Sequence, residues 1–345
     1  MNDDGMAREL DDPILVTGAG GFIGGWLVRR LLETGHRHVR AVDIKPLDAW
    51  SQRFPAADNR VLDLRGIDAC RQACRDVGAV FNLACDMGGI GYIETNKALC
   101  MLSVLINTHM LMAAREAGVE RFFYSSTACV YAIDKQTSTD VALKESDAYP
   151  ALPEDGYGWE KLFGERMCWS FHEDFGFQTR VGRYHNVFGP LGAYDGGREK
   201  APAALARKVA MAKLSGRHEI EIWGDGEQTR SFLFIEDCLD ATLKLAASDV
   251  AEPLNIGSDR LISINRLVGL LEAIAGIKLV RRYERSAPQG VRGRSSDNRL
   301  IGERLGWQPQ WPLERGLEVT YRWIYDQLAA QQADRPLVAA AQQDA

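Results

Sequence analysis

The stretch PILVTGAGGFIG, residues 13–24, limits what this chain can fold into more than any other. Its apolar run is short and unbroken, the pattern of a strand buried on both faces of a parallel sheet rather than one half-exposed to water. Gly18, Gly21 and Gly24 then fall where the strand must turn into a helix, and a helical apolar period runs from Phe22 to Glu33. Glycines at such a turn let the backbone come close to a pyrophosphate, and the first N–H groups of the helix point at its charge. The next apolar run, 38–43, ends on Asp43. A carboxylate about 20 residues beyond the glycines accepts hydrogen bonds from ribose hydroxyls and repels a 2′-phosphate. NAD is therefore the expected cofactor, ahead of NADP, although Lys45 adds a charge of the opposite sign nearby. Its expected contacts here are Gly18, Gly21, Phe22, Ile23, Gly24 and Asp43. Asp63, after the third strand, suits either the adenine side or a helix cap.

Further strands read at 60–64, 79–84, 121–126 and 178–183, with helical periods between them. Strands alternating with helices build βαβ units and hence a parallel sheet covered on both faces. The expected fold is α/β: a Rossmann-type doubly wound parallel sheet over 13–185, then a smaller mixed α/β C-terminal substrate lobe over 186–330, with some later segments returning to the sheet. Residues 1–12 and 331–345 carry no sustained amphipathic pattern and are expected to be mobile ends. A formal net charge of −6 gives no broad basic field, so neither nucleic acid nor a membrane surface is an expected partner. The acidic start MNDDGMARELDD lacks the basic-then-apolar order of a signal peptide, and no run of about 18 consecutive apolar residues offers a bilayer span. The expected location is cytoplasmic. Seven cysteines without paired CxxC spacing suggest neither a disulfide framework nor a metal site, Cys70 and Cys74 included.

YGWEK places Tyr157 and Lys161 four apart, on one face of a helix. An ammonium there lowers a phenol from its ordinary value of about 10 and lets it act as a base. On a solvated helix face the same pair would do nothing; its company, a glycine turn upstream and SSTACVYA at a strand end, favours chemistry. A phenol, a lysine and a hydroxyl from Thr127 or Ser126 take the proton from a carbinol while its hydride leaves for nicotinamide. Cys129 in the same stretch is either a small core residue, as most free cysteines are, or a reactive thiol, since ligands of such sheets bind at C-terminal strand ends.

From TGAGGFIG through SSTACVY, YGWEK and NVFGP to WGDGEQTRSF, the chain resembles the extended short-chain dehydrogenase/reductase family, the nucleotide-sugar epimerases and dehydratases. Phe188 stands where that family more often has a tyrosine. Sugar dehydratases of the family carry an acidic residue at the position of Cys129. Three further stretches, ACDMGGIGYI (84–93), GGREKAPAA (196–204) and GVRGRSSDN (290–298), resemble the branch that inverts C3 and C5 of GDP-mannose. The resemblance implies an NAD-holding isomerase acting on a small molecule, GDP-α-D-mannose. The product would be GDP-β-L-galactose, with GDP-L-gulose from C5 inversion alone, and the assembly a homodimer. It implies Tyr157, Lys161 and Thr127 for transient oxidation at C4, with Ser126, Tyr157 and Lys161 also touching the cofactor. Cys129 would be the base and Lys200 the acid of proton transfer. Substrate contacts would come from Gly88, Thr127, Cys129, Asn186, Glu199, Lys200, Ala201, Lys208, Gln228, Arg230, Ser231 and Arg294.

Physical need agrees with that pattern. A ketone at C4 acidifies the C–H bonds at C3 and C5, and inversion then requires one group to remove a proton and another to return one to the opposite face. A thiol with an ordinary value near 8.5 and an amine lowered by burial suit the two tasks. Lys200 opens a helical pattern, where the macrodipole disfavours a cation, so its position is better explained by function than by solvation. Arg230 is able to clamp a diphosphate with a bidentate fork, and Arg292 and Arg294 add positive charge. Gly88 and Gly89 suit either close approach of substrate to backbone or a tight turn. Two other readings stay open: a different nucleotide-sugar epimerase working through a 4-ketone, and an NAD-binding sensor that turns nothing over.

Overall fold

In the computed structural model, which describes residues 12–341, seven strands form one parallel sheet. They are β1 (Ile14–Thr17), β2 (Val39–Asp43), β3 (Asp58–Val61), β4 (Ala79–Asn82), β5 (Arg121–Thr127), β6 (Gln178–Tyr184) and β7 (Leu254–Ile256), in the order β3-β2-β1-β4-β5-β6-β7. The order reverses at β1, whose Ile14 sits opposite Val39 on one side and Ala79 on the other. Ligands of such sheets bind in the crevice outside the carboxyl ends of the strands flanking that point. Successive β1 side chains point to opposite faces, and both faces are covered. Val16 packs with Leu27, Val28 and Leu31 of α1 (Phe22–Glu33) and with Leu239 of the helix Ile235–Ala247. Leu15 packs with Cys70, with Met110 and Leu111 of α2 (Ser103–Glu116), and with Cys168 of α3 (Tyr157–Phe175). The expected doubly wound α/β fold is thus present. The stretch Lys97–Glu116 is long and apolar enough by composition to cross a bilayer, but here it breaks into two helices and buries Met110, Leu111, Ala113 and Ala114 under the sheet.

Beyond residue 186 the chain builds a smaller lobe and twice returns to the sheet, through helix Ile235–Ala247 and β7. The lobe packs α4 (Ala201–Ser215), helix Ile264–Ala275 and α5 (Leu313–Ala341) together. A mixed four-stranded sheet joins Ala142–Leu143, Gly293–Ser296, Thr229–Arg230 and Ile262–Ser263. Arg230 and Arg294 are register partners in it, so two arginines far apart in sequence arrive side by side.

Two ends differ from the sequence reading. β3 starts at Asp58, ahead of the apolar run at 60–64, because Asp58 and Asn59 pair with Arg40 and Ala41 on a half-exposed edge that needs no apolar residues. α5 continues to Ala341, so residues 331–341 of the supposed mobile tail are helical. Alanine, glutamine and leucine have high intrinsic helix propensity, whereas Pro336 in the same segment counts against it. The remainder of the expected mobile ends, 1–11 and 342–345, lies outside the described residues.

One buried ion pair locks three elements together. Glu165 of α3 accepts two hydrogen bonds from Arg183 of β6, at 2.9 and 2.7 Å, and another from the Ser126 hydroxyl of β5. Arg183 also donates to the Glu145 carbonyl at 2.6 Å. The side chains are 2% and 3% exposed, and burial of both charges is tolerated because each finds full partners. α3 lies so close on the end of β5 that a Cβ at Gly158 would sit 2.4 Å from the Cys129 carbonyl oxygen. Glu165→Leu leaves the Arg183 charge buried and unpaired. The expected cost is about 3–5 kcal/mol, read as a lower urea midpoint in fluorescence-monitored unfolding, whereas an unmoved midpoint would mean that the pair secures nothing.

Candidate active site

A cavity of about 690 Å³ opens at the reversal point of the sheet. Its floor is the glycine turn. Gly18 has φ +69°, and a Cβ on Gly24 would lie 2.2 Å from the Gly18 carbonyl oxygen. Gly21 caps α1 with no side-chain hydrogen bond, and Gly18, Gly21, Phe22, Ile23 and Gly24 all line the cavity. Asp43 lies on the wall. Its two oxygens accept the Gly20 and Lys45 backbone N–H groups, each at 3.0 Å, while the Lys45 ammonium turns to the Gly20 carbonyl at 3.3 Å. Asp63 also lines the cavity, paired with Arg65 at 2.6 Å. The capping alternative for Asp63 does not hold, because the next helix is capped by Gly66 and the Asp63 carboxylate takes the Arg65 N–H instead. A cradle that side chains would fill, an uncapped helix start and a wall carboxylate fit a dinucleotide.

Thr127, the last residue of β5, and Tyr157, the first of α3, meet on the inner wall. Thr127 Oγ1 accepts the Cys129 N–H at 3.3 Å. Ser126 lines the same wall, but its hydroxyl donates to Glu165. Lys161 lies behind Tyr157 rather than on the cavity surface. It is 1% exposed, its ammonium donates to the Ser125 carbonyl at 2.9 Å, and it sits 5.9 Å from the Tyr157 ring centre. The lowered phenol anticipated from the four-residue spacing is not found. Burial pushes Tyr157 well above the ordinary phenol value, Cys85, Cys129 and Glu160 add to the rise, and Thr127 opposes it. Lys161 is committed to Ser125 instead. Burial works against its charge, but Cys85 and Glu160 outweigh that and hold the ammonium above the usual lysine range.

A second cavity of about 280 Å³ adjoins the first, and Met87, Thr127, Tyr157 and Lys200 line both. Of the residues anticipated for substrate, Gly88, Cys129, Asn186, Glu199, Ala201, Lys208, Gln228, Arg230 and Arg294 also line it. Glu199 Oε2 and Gln228 Oε1 are buried there with no hydrogen-bond partner among the described residues, which suits them to a polar ligand. Lys208 donates to the Glu221 carbonyl at 3.0 Å. Ser231 stands one layer back, its carbonyl accepting from Asn186 Nδ2 at 3.0 Å. Arg292 pairs with Asp225 at 2.9 Å and is not part of the wall. Burial, with Arg294 adjacent, pushes the Arg230 guanidinium down to about 10.

Cys129 and Lys200 reach this cavity from different elements, the turn after β5 and the N-cap of α4. Burial pushes the Cys129 thiol up to about 12; Glu154 adds to the rise and Arg294 opposes it. Burial pushes Lys200 the other way, below the usual lysine range. A clasp holds the Lys200 segment in place. Arg198 donates to Asp86 Oδ1 at 2.7 Å, to the Met87 carbonyl at 2.9 Å and to the Tyr92 hydroxyl at 2.6 Å. The Gly89 N–H meets the Arg198 carbonyl at 3.0 Å. A Cβ at Gly89 would lie 2.3 Å from the Glu199 carbonyl oxygen, so this glycine serves the packing of two loops. Glu154, Gln136, Cys85, Asp86 and Arg198 were not anticipated. Glu154 had a signal, a carboxylate just ahead of Tyr157, whereas the Asp86–Arg198 contact joins residues 112 apart.

The profile of the NAD dependent epimerase/dehydratase family matches residues 14–257. The chain belongs to that family and is an NAD-dependent epimerase in fold and site. It is 46% identical over 316 residues to GDP-mannose 3,5-epimerase 1 of Oryza sativa subsp. indica, a match covering 91% of this chain and 82% of that protein. The UDP-glucose 4-epimerase of Thermotoga maritima, solved with UDP-glucose, has a TM-score of 0.81 at 25% identity, over 92% of this chain and 99% of that one. The UDP-glucuronic acid 4-epimerase of Bacillus cereus, solved with UDP-glucuronic acid and NAD, gives 0.78 at 26% identity over the same shares. Gly24→Ala puts a methyl group against the Gly18 carbonyl. It is expected to weaken NADH binding roughly tenfold or more, about 1.4 kcal/mol, in a fluorescence titration. Unchanged affinity would show that the turn is not the cradle.

Proposed function

We propose that this chain epimerises GDP-mannose at C3 and C5 through transient oxidation of C4, giving GDP-L-galactose, and GDP-L-gulose where C5 alone inverts. The observation that carries the reading is the meeting of two sets of groups at the junction of the cavities: Thr127 and Tyr157 on the shared wall, Cys129 and Lys200 around the substrate side. NAD, held by Gly18, Gly21, Phe22, Ile23, Gly24, Asp43 and Asp63, supplies the hydride acceptor for C4 when bound. Tyr157, as the phenolate, takes the C4 hydroxyl proton and becomes the phenol, Thr127 orients that hydroxyl, and Lys161 keeps a positive charge behind the ring that favours the phenolate form. Cys129 removes a proton from the acidified carbon and Lys200 returns one to the opposite face. An ammonium that burial has pushed down gives up its proton more readily than a free lysine. Arg230 meets the diphosphate charge, while Arg294, on the same wall, has its guanidinium engaged by Gln136 and Glu154. The 46% identity to the Oryza enzyme supports GDP-mannose over the uridine sugars of the structural relatives. A homodimer belongs to the same reading: Leu105 and Met112 of α2 and Trp159 and Phe163 of α3 are exposed apolar side chains on neighbouring helices, which a second copy would cover.

The reading is tested with GDP-mannose in deuterium oxide. Label is expected at C5 and C3 with total NAD unchanged; an enzyme that incorporates none there, yet inverts C4 of a uridine sugar, would be a 4-epimerase instead. Cys129→Ala is expected to keep NAD binding and the NADH absorbance produced by C4 oxidation. Its deuterium exchange at C5 should fall by roughly 10²–10⁴-fold, the usual worth of a general base. Exchange at the wild-type rate would assign the base to another residue. Lys200→Ala is expected to stall at the keto stage, visible as persistent NADH absorbance.

A further inference from the structure

Cys129 is one corner of a buried array whose other members Glu154 and Gln136 have no role in the steps above. Arg294 presents three edges of its guanidinium to three partners. Nε donates to Gln136 Oε1 at 2.6 Å, Nη2 pairs with the Glu154 carboxylate, and Nη1 faces the Cys129 sulfur at 3.7 Å. Gln136 is fixed in turn: its amide nitrogen donates to the Tyr131 and Ala132 carbonyls, both at 3.2 Å, which leaves its oxygen for Arg294. Glu154 is tied to Cys129 through its backbone N–H, which donates to the Cys129 carbonyl at 3.0 Å, and its carboxylate shares the Arg294 guanidinium with the Cys129 sulfur. Glu154, Cys129 and Arg294 all line the substrate cavity. Among the described residues, Tyr157, Lys200 and Arg230, which line the same cavity, also interact electrostatically with the sulfur.

A guanidinium beside a thiol ordinarily favours the thiolate. Here the guanidinium is claimed by a carboxylate, and that carboxylate puts a second negative charge next to the sulfur. Nor does Glu154 suit a relay for the thiol proton. Burial pushes its carboxyl up, but Arg294, together with Cys129 and Arg230, outweighs this and holds it below the usual carboxylate range, so the transfer runs uphill. We propose that Glu154 is a positioning residue that occupies Arg294 and keeps Cys129 a thiol, fixing the pH at which the sulfur becomes a base. Its meaning for turnover rests on Cys129 as the base of the reaction proposed above; its effect on the sulfur does not.

The experiment follows iodoacetamide modification of Cys129 against pH in the full-length, NAD-loaded enzyme, with peptide mass spectrometry separating Cys129 from Cys85. The carboxylate disfavours the thiolate, so Glu154→Gln removes that penalty and frees Arg294 for the sulfur. The modification curve is expected to move to lower pH by about one unit or more, a rate about tenfold higher or more at about pH 8. Glu154→Asp keeps the charge and is expected to fall back toward the wild-type curve, which a packing defect alone would not do. A folded Glu154→Gln enzyme with the wild-type curve overturns the proposal. Should that variant not fold, Arg294→Gln, which leaves the carboxylate unopposed, is expected to slow modification about tenfold or more; an equal or faster rate overturns it. Deuterium exchange from GDP-mannose on the same proteins keeps the two readings apart. A shifted modification curve in an enzyme that exchanges no deuterium leaves the role of Glu154 standing and removes the proposed substrate.

Discussion

The geometry of the site depends on a carboxylate and a guanidinium buried between α3, β5 and β6. Glu165 lies about two helical turns beyond Tyr157, and it bonds Arg183 on one strand and Ser126 on the next. Lys161, between them on the same helix, bonds the Ser125 carbonyl. The helix that carries Tyr157 is thereby fixed in rotation and in slide against the strand end that carries Thr127 and Cys129. Apolar residues of the same volume would often hold such elements together as well or better. What they would not supply is register, and a proton transfer tolerates little error in register.

Around that frame the cavity pushes its titratable groups apart. Burial makes Lys200 a readier proton donor and Cys129, once ionised, a stronger acceptor. The second effect has a cost, because a stronger base is ionised less often at a given pH. The sequence places Arg230 and Arg294 in separate segments, and the mixed sheet makes them neighbours in register. Two guanidinium groups side by side repel one another, so the Glu154 carboxylate paired with Arg294 stabilises both.

How much of this was legible in the chain follows from the range of the interactions. The glycine turn, Asp43 and the four-residue spacing of Tyr157 and Lys161 are local patterns, and the elements that carry them were anticipated closely; the α1 boundaries match residue for residue. The strand pairs of the lobe are short and made by distant segments, so no local period announces them. The same holds for Arg292, whose charge looked available until Asp225 was found opposite. For Lys161 the spacing was correct and its electrostatic consequence was not. Helical geometry brings its ammonium near the Tyr157 ring, but the carbonyl that captures it belongs to β5. Glu154 was in view, in PEDGYGWEK, and lacked meaning until the fold brought Arg294 to it.

The clasp between Arg198 and the 86–92 loop has a bearing on how the enzyme is loaded. Asp86, Met87, Arg198 and Lys200 all belong to the wall of the larger cavity, and hydrogen bonds together with the close packing of Gly89 make the two loops one body. Any motion of that body that frees a dinucleotide also carries Lys200 away from the sugar. Such an arrangement is a poor one for a dehydrogenase that must exchange its oxidant after every turnover. It suits a catalyst whose oxidant is restored in place, so that the wall stays shut across cycles and traffic is confined to the sugar nucleotide.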